Sequence, residues 1–313
     1  MKHTHPWLCV VVLLCVPAHS PAGQPAATQP TNAPTVTLLE AGTAPRQALR
    51  LTPQIGSEQT MDMTMRMSMT QSIGDMPMPE MKLPGMRFTM LSKVVQVKEN
   101  GDVQFEFTCT DADIVDEPGV AASMADVMRT SLKGAVGLRG TGLMSSRGFT
   151  KEADFEIPAG IDPMAVQHIE SLKQAVKQLS APLPKEPVGV GAEWQVDQTI
   201  TMNGMIIKQT STFKLTKIDG NRLQLDVKVK QTADAQTISP PGAVAGTTVN
   251  LNSLASEGSG KVVLMLTQLM PINFQMNVTS DTSMSIDAQG RKQDMSQHME
   301  MSVEMETREP PPD

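Results

Sequence analysis

Tyrosine is absent from the 313-residue chain, and seven Phe and two Trp are its only large aromatic rings. So few rings exclude the stacking platforms that hold single-stranded nucleic acid. Positive charge is short as well. Against 26 Lys and Arg stand 33 Asp and Glu, a net charge of −7 and the wrong sign for a phosphate backbone. No nucleic-acid partner is expected. Of three cysteines, Cys9 and Cys15 lie in an N-terminal apolar run, which leaves Cys109 without an internal disulfide partner once that run is removed. Cys109, His168 and His298 together make none of the usual structural zinc sets, so no cofactor is expected. Gly-x-Ser-x-Gly, a Walker loop and His-Glu-x-x-His are all missing, and the reading is of a protein that is not an enzyme.

The N-terminus has the three-part form of an export signal. Lys2 supplies the positive end, Trp7 to Val16 the apolar run, and Ala18, Ser20 and Ala22 the small residues. Residues 1–22 are read as a signal peptide, with cleavage near Ala22 or Gly23. That run is too short to span a bilayer, and no other stretch of about twenty apolar residues follows. The expected location is periplasmic or extracellular in a bacterium, with no transmembrane segment after signal removal. Residues 23–46, rich in Pro, Ala, Thr and Gln, read as a disordered spacer, and 309–313 as a proline tail.

Between them, residues 47–308 read as one antiparallel β-rich domain. Met61, Met63, Met65, Met67 and Met69 alternate with Asp62, Thr64, Arg66, Ser68 and Thr70. Leu223 to Lys230 and His298 to Met305 alternate in the same way, as strands with one wet and one apolar face do. Turn signals stand at Glu99-Asn100-Gly101-Asp102, Asp219-Gly220-Asn221 and Ala288-Gln289-Gly290. Two helices are expected against the concave side of the sheet. One begins at Pro163 behind Asp162; the other follows Pro118, with Val120, Met124, Val127, Met128 and Ser131 on one side. The order of elements suggests two halves, 47–160 and 161–308. Gly56-Ser57-Glu58 and Gly191-Ala192-Glu193 each open a strand, and Gly140-x-Gly142 and Gly258-x-Gly260 each start a later one.

Methionine is what the chain has in excess. There are 25, and ten lie between Met61 and Met90. Val, Ile and Thr suit strands better and have stiffer rotamers. Five consecutive Met on one strand face give up strand preference for flexible, polarisable contact, as surfaces that fit variable apolar partners do. Ordinary core is the plain alternative. Met61, Met63, Met65, Met67 and Met69, with Met299, Met301 and Met305, are the expected ligand lining. Thioethers also suit Cu(I), for which Met63, Met65, Met67 and His298 are the candidate set. Cys109 shares a strand face with Phe105 and Phe107 and reads as a small hydrophobe. Asp111, Asp113, Asp116 and Glu117 read as a solvated acidic loop.

Gly191 to Trp194, after Leu183-Pro184 and Val188, resembles an uncharacterised family of secreted bacterial proteins of this length, over about residues 47 to 306. That resemblance carries no activity and no functional residues. At the level of fold alone, the pattern resembles the half-barrel carriers that move lipids or lipoproteins across the periplasm. The expectation is a curved antiparallel sheet or incomplete β-barrel, exported and non-enzymatic. Its expected partner is an apolar small molecule or a lipidated protein in a Met-lined cavity. A Cu(I) binder and a structural envelope protein without ligand are the alternatives.

Overall fold

The computed structural model describes residues 34–156, 182–202, 204–238, 247–288 and 291–308. The expected signal peptide, the helix starting at Pro163 (with His168) and the proline tail lie outside these residues.

Strand succeeds strand along most of the chain. The first half holds β1 (Thr35–Glu40), β2 (Glu58–Ile73), the short β3 (Met76–Pro77) and β4 (Met81–Lys82), β5 (Gly85–Val97) and β6 (Val103–Val115). Helix α1 (Ala122–Leu132) follows, then β7 (Arg139–Met144) and β8 (Thr150–Phe155). The second half holds β9 (Glu193–Met202), β10 (Met205–Asp219), β11 (Arg222–Ala233), β12 (Gln236–Ile238), β13 (Thr247–Met265), β14 (Asn273–Ala288) and β15 (Arg291–Thr307). All join one antiparallel sheet in the order β1-β9-β10-β11-β13-β14-β15-β2-β5-β6-β7-β8, with β3 and β4 beside β2 and β12 beside β13. The outermost strands β1 and β8 do not pair with each other, so the sheet is open rather than a closed barrel.

Hydrophobic alternation builds this sheet as expected. Two of the three predicted turns join β5 to β6 and β10 to β11; across the third, Ala288 pairs with Arg291. Among the described residues α1 is the one α-helix, and its buried residue is Ala125. Val127, expected on its apolar side, is 69% exposed. Arg129 of α1 pairs with Asp113 of β6, which faces away from the core.

The spacer reading needs correction. Thr35–Glu40 forms β1 on β9, and Val36 and Leu38 pack on the main core, because the short alternation Val36-Thr37-Leu38 has an apolar face to bury.

Both wings of the sheet share that core. Val94, Val103, Phe105 and Phe107 of one wing cluster with Trp194, Phe213, Leu215, Leu223 and Leu225 of the other, although several strands separate them in the sheet order. The sheet therefore curls over at one end. Leu49 and Leu51 are buried there, and their segment bonds both sides: Leu51 N–H to Ser146 O (2.7 Å) and Thr52 N–H to Leu266 O (2.6 Å). Trp194 is fully buried, stacks on Phe213 at 5.7 Å and donates its indole N–H to Pro182 O at 2.8 Å. A second cluster sits elsewhere on the same face, with Ile200, Ile207, Leu251, Met284 and Met295.

The two expected half-openings are built alike. Gly56 (φ +84°) donates to Val94 O and Val94 to Ser57 O, at 2.8 and 3.0 Å. Gly191 (φ +86°) donates to Leu215 O and Leu215 to Ala192 O, both at 2.8 Å. Each acceptor strand then bulges immediately, after Val94 and after Leu215.

Candidate functional site

Side-chain alternation and register assign each paired residue to one of two faces. The inner face carries Trp194, Phe105 and both core clusters. All eight methionines expected to line a site are on it. In β2–β15 pairing, Met63 stands opposite Met305, Met67 opposite Met301 and Met69 opposite Met299. Across β2–β5 and β2–β4, Met61 meets Met90, Met63 meets Phe88, Met65 meets Met86 and Met69 meets Met81. Directly opposed side chains stand about 4.5–5.5 Å apart at Cβ, so the ladder widens into a band. Met81, Met86, Phe88 and Met90 were missed from sequence, although Met86-x-Phe88-x-Met90 after Gly85 carries the same alternation.

Burial grades along this band. Met61, Met69 and Met305 are buried; Met63, Met65, Met67, Met299, Met301, Val303, Met86 and Phe88 are half-buried. The band is therefore a half-covered surface at the middle of the sheet. A separate recess of about 30 Å³ lies at the core end, lined by Leu51, Met144, Leu183, Leu264 and Leu269 among others, and has room for little more than water.

A belt of uncharged polar groups crosses the same face. Gln198, Gln209, Gln231, Ser256 and Ser280 stand in one register row from β9 to β14, next to Met299. One row further, Thr282, Gln297 and Gln71 continue it across β14, β15 and β2. Gln231 donates to Gln209 Oε1 (2.7 Å), Gln209 to Ser211 Oγ (3.2 Å) and Ser256 to Ser280 Oγ (2.7 Å). Gln71 reaches the Met69 sulfur at 3.5 Å. Gln198 and Gln297 are half-buried and have no side-chain partner among the described residues.

Among the described paired positions charge lies on the other face, except at Arg291, which pairs with Ala288 in the inner-facing register at the start of β15. Of the inner-facing paired positions with described side chains, none is Asp, Glu, Lys, Arg or His. On the outer face Arg308 grips both carboxylate oxygens of Asp62 at 2.6 and 2.7 Å, and Thr89 donates to Asp62 at 2.7 Å. The Arg308 bonds, helped by Thr89, hold the Asp62 carboxyl below its usual range. Asp111 and Asp113, expected on a loop, lie within β6 because the strand runs on through a bulge after Cys109. The extra residue there returns Ala112 and Ile114 to the inner face. Arginines meet the whole acidic group: Arg87 with Asp111 at 3.9 Å, Arg129 with Asp113 and Asp116 at 3.2 and 3.3 Å, and Arg66 with Glu117 at 2.8 Å.

His298 is the residue that the structure moves away from the site. It stands opposite Thr70 and Asp281 on the outer face, with Nδ1 2.7 Å from Asp281. A one-residue step from Met299 turns it to the other side of the sheet, so it does not join Met63, Met65 and Met67 in a shared ligand set. Cys109 is buried on the inner face as expected, and burial pushes its thiol pKa up, the opposite of an activated nucleophile.

Fold and site thus define a class: an open antiparallel sheet with a methionine-rich inner face whose central band is uncharged. Residues 168–289 match a family described as "Family of unknown function (DUF6263)", a stretch that takes in β9 to β14. No characterised protein matches in sequence. Two solved structures of outer membrane protein OmpT from Vibrio cholerae align over 80% of this chain and 100% of theirs at 5% identity. The loop L8 deletion mutant has a TM-score of 0.20 and the in-vitro folded trimer form 0.17. Superpositions that poor carry no weight for fold or function, and they lend nothing to the expected likeness to periplasmic carriers.

Proposed function

We propose that this is an exported, non-enzymatic protein that binds an apolar ligand on its methionine-lined inner face, either a free molecule or the lipid of a modified partner. The observation that carries the reading is the half-buried band of Met63, Met65, Met67, Met299 and Met301, whose paired same-face neighbours are uncharged. Same-face residues repeat every 6.6–7 Å, so the five-residue ladder runs for about 27 Å. Covering a half-buried Met more fully gains a fraction of the roughly 1.5–3 kcal/mol of full burial, which over five residues favours an apolar occupant. Flexible thioethers suit an occupant whose shape varies.

Titration with N-phenyl-1-naphthylamine, a neutral apolar dye that brightens out of water, tests this. Saturable binding is expected. Met63→Leu/Met65→Leu/Met67→Leu keeps apolar area and should change affinity by no more than roughly twofold. Met67→Lys puts an unpaired charge on the band and should weaken binding about tenfold or more with the fold intact by circular dichroism. Absence of saturable binding, or a Met67→Lys protein that binds as tightly, contradicts the reading.

A second reading, Cu(I) held by Met63, Met65 and Met67 without His298, draws on the in-register Met–Met pairs. The triple Leu variant separates the two: competition against a Cu(I) chelator would lose its signal while dye binding stays.

A further inference from the structure

The inner face is not uniformly apolar, and its polar part is built. The Gln–Ser belt runs between the two core clusters, at the level where the methionine band ends on Met69 and Met299. Ser211, Ser256 and Ser280 are buried, each at 5 or 6% exposure. Gln71, Gln297 and Thr282 are half-buried beside the band. Belt groups pair with one another where they can, yet Gln297 keeps an amide without a side-chain partner among the described residues.

Two constraints on the occupant follow. A pure hydrocarbon laid over the band and the end of the belt would cover the Gln297 amide without satisfying it, which costs binding. A carboxylate or phosphate head at Gln71, Thr282 and Gln297 would meet no cation there, because the same-face positions beside them, Met69, Ile73, Ser280, Met284, Met295 and Met299, are all uncharged, and Arg291 stands six residues along β15. What suits both parts is an apolar chain ending in a neutral group that donates and accepts hydrogen bonds.

We propose that the ligand is a free amphiphile with an uncharged, hydrogen-bonding head, its chain along Met63, Met65 and Met67 and its head at Gln71, Thr282 and Gln297. This rests on the apolar-ligand reading above. Charge complementarity chooses the occupant: the neutral surroundings of Gln71, Thr282 and Gln297 select a neutral head.

Displacement of N-phenyl-1-naphthylamine by two ligands with the same twelve-carbon chain tests the head alone. At pH 8, below their aggregation concentrations, 1-monododecanoylglycerol should displace the dye at a concentration at least tenfold lower than dodecanoate. Gln297→Leu should lose most of that preference, measured as the ratio of the two displacing concentrations against its own dye affinity. Dodecanoate matching or surpassing the glyceride overturns the proposal and leaves the apolar-ligand reading standing. So does a preference kept in full by both Gln297→Leu and Gln71→Leu. A triacylated lipopeptide displacing the dye at tenfold lower concentration than the glyceride also overturns it, and transfers the face to a lipidated partner. Failure of the dye itself to bind removes both readings together.

Discussion

Among the described residues, His298 has the geometry of a group whose protonation is linked to folding. Its ring bonds Asp281 at 2.7 Å with Glu300 nearby at 3.8 Å, and chiefly the Asp281 bond raises its pKa above 6.5. A group that titrates higher when folded stabilises the fold fully below its unfolded pKa. That contribution is lost as pH rises through the higher folded value. Denaturation midpoints should therefore fall between pH about 6.5 and the folded pKa, and Asp281→Asn should flatten that slope. Equal slopes in both proteins would contradict the assignment. The polar face of His298 was legible in the alternation of His298 to Met305. That same alternation excludes it from a ligand set with Met63, Met65 and Met67, since adjacent strand residues point to opposite faces. Cys109 was legible because its alternation with Phe105 and Phe107 is local. The arginine partners of Asp111, Asp113 and Glu117 come from β5, α1 and β2, and no spacing rule connects them.

Close approach between strands accounts for some element-level detail. Gly140 and Gly142 of β7 lie under the rings of Phe107 and Phe105, and a Cβ on Gly142 would stand 2.2 Å from Phe105 Cζ. Phe105 is 1% exposed, so its ring has nowhere to go. Gly142→Ala should cost about 1–3 kcal/mol, read as a lower urea midpoint with unchanged m-value. An unchanged midpoint would mean that the ring does not rest on this glycine. The Gly-x-Gly spacing was visible in the sequence; its reason was not, because the rings come from another strand. Strands with strong alternation, β2, β11 and β15, were legible for the complementary reason that their period is local. β1 was hidden by a proline-rich neighbourhood, and its register depends on β9, more than 150 residues away.

For the whole molecule, the closest packing gathers where the wings meet, and the middle of the sheet is left half-covered. Trp194, fully buried between Phe213 and the Pro182 carbonyl, anchors the closed end. Trp194→Ala should cost roughly 3–5 kcal/mol in chemical denaturation, and a loss under 1 kcal/mol would place the core elsewhere. Strand order was beyond the sequence: β15 pairs with β2 and joins the two meanders through contacts some 230 residues apart. The neutral surroundings of the methionine band were equally hidden, since they emerge only when the registers of β2, β5 and β15 are known. An apolar guest on the inner face is the central expectation for the molecule. Native mass spectrometry of protein purified without detergent tests it directly. A lipid-sized added mass is predicted, removable by organic solvent and depleted in Met67→Lys. The bare polypeptide mass in every preparation, including after incubation with membrane lipid extract, would contradict it.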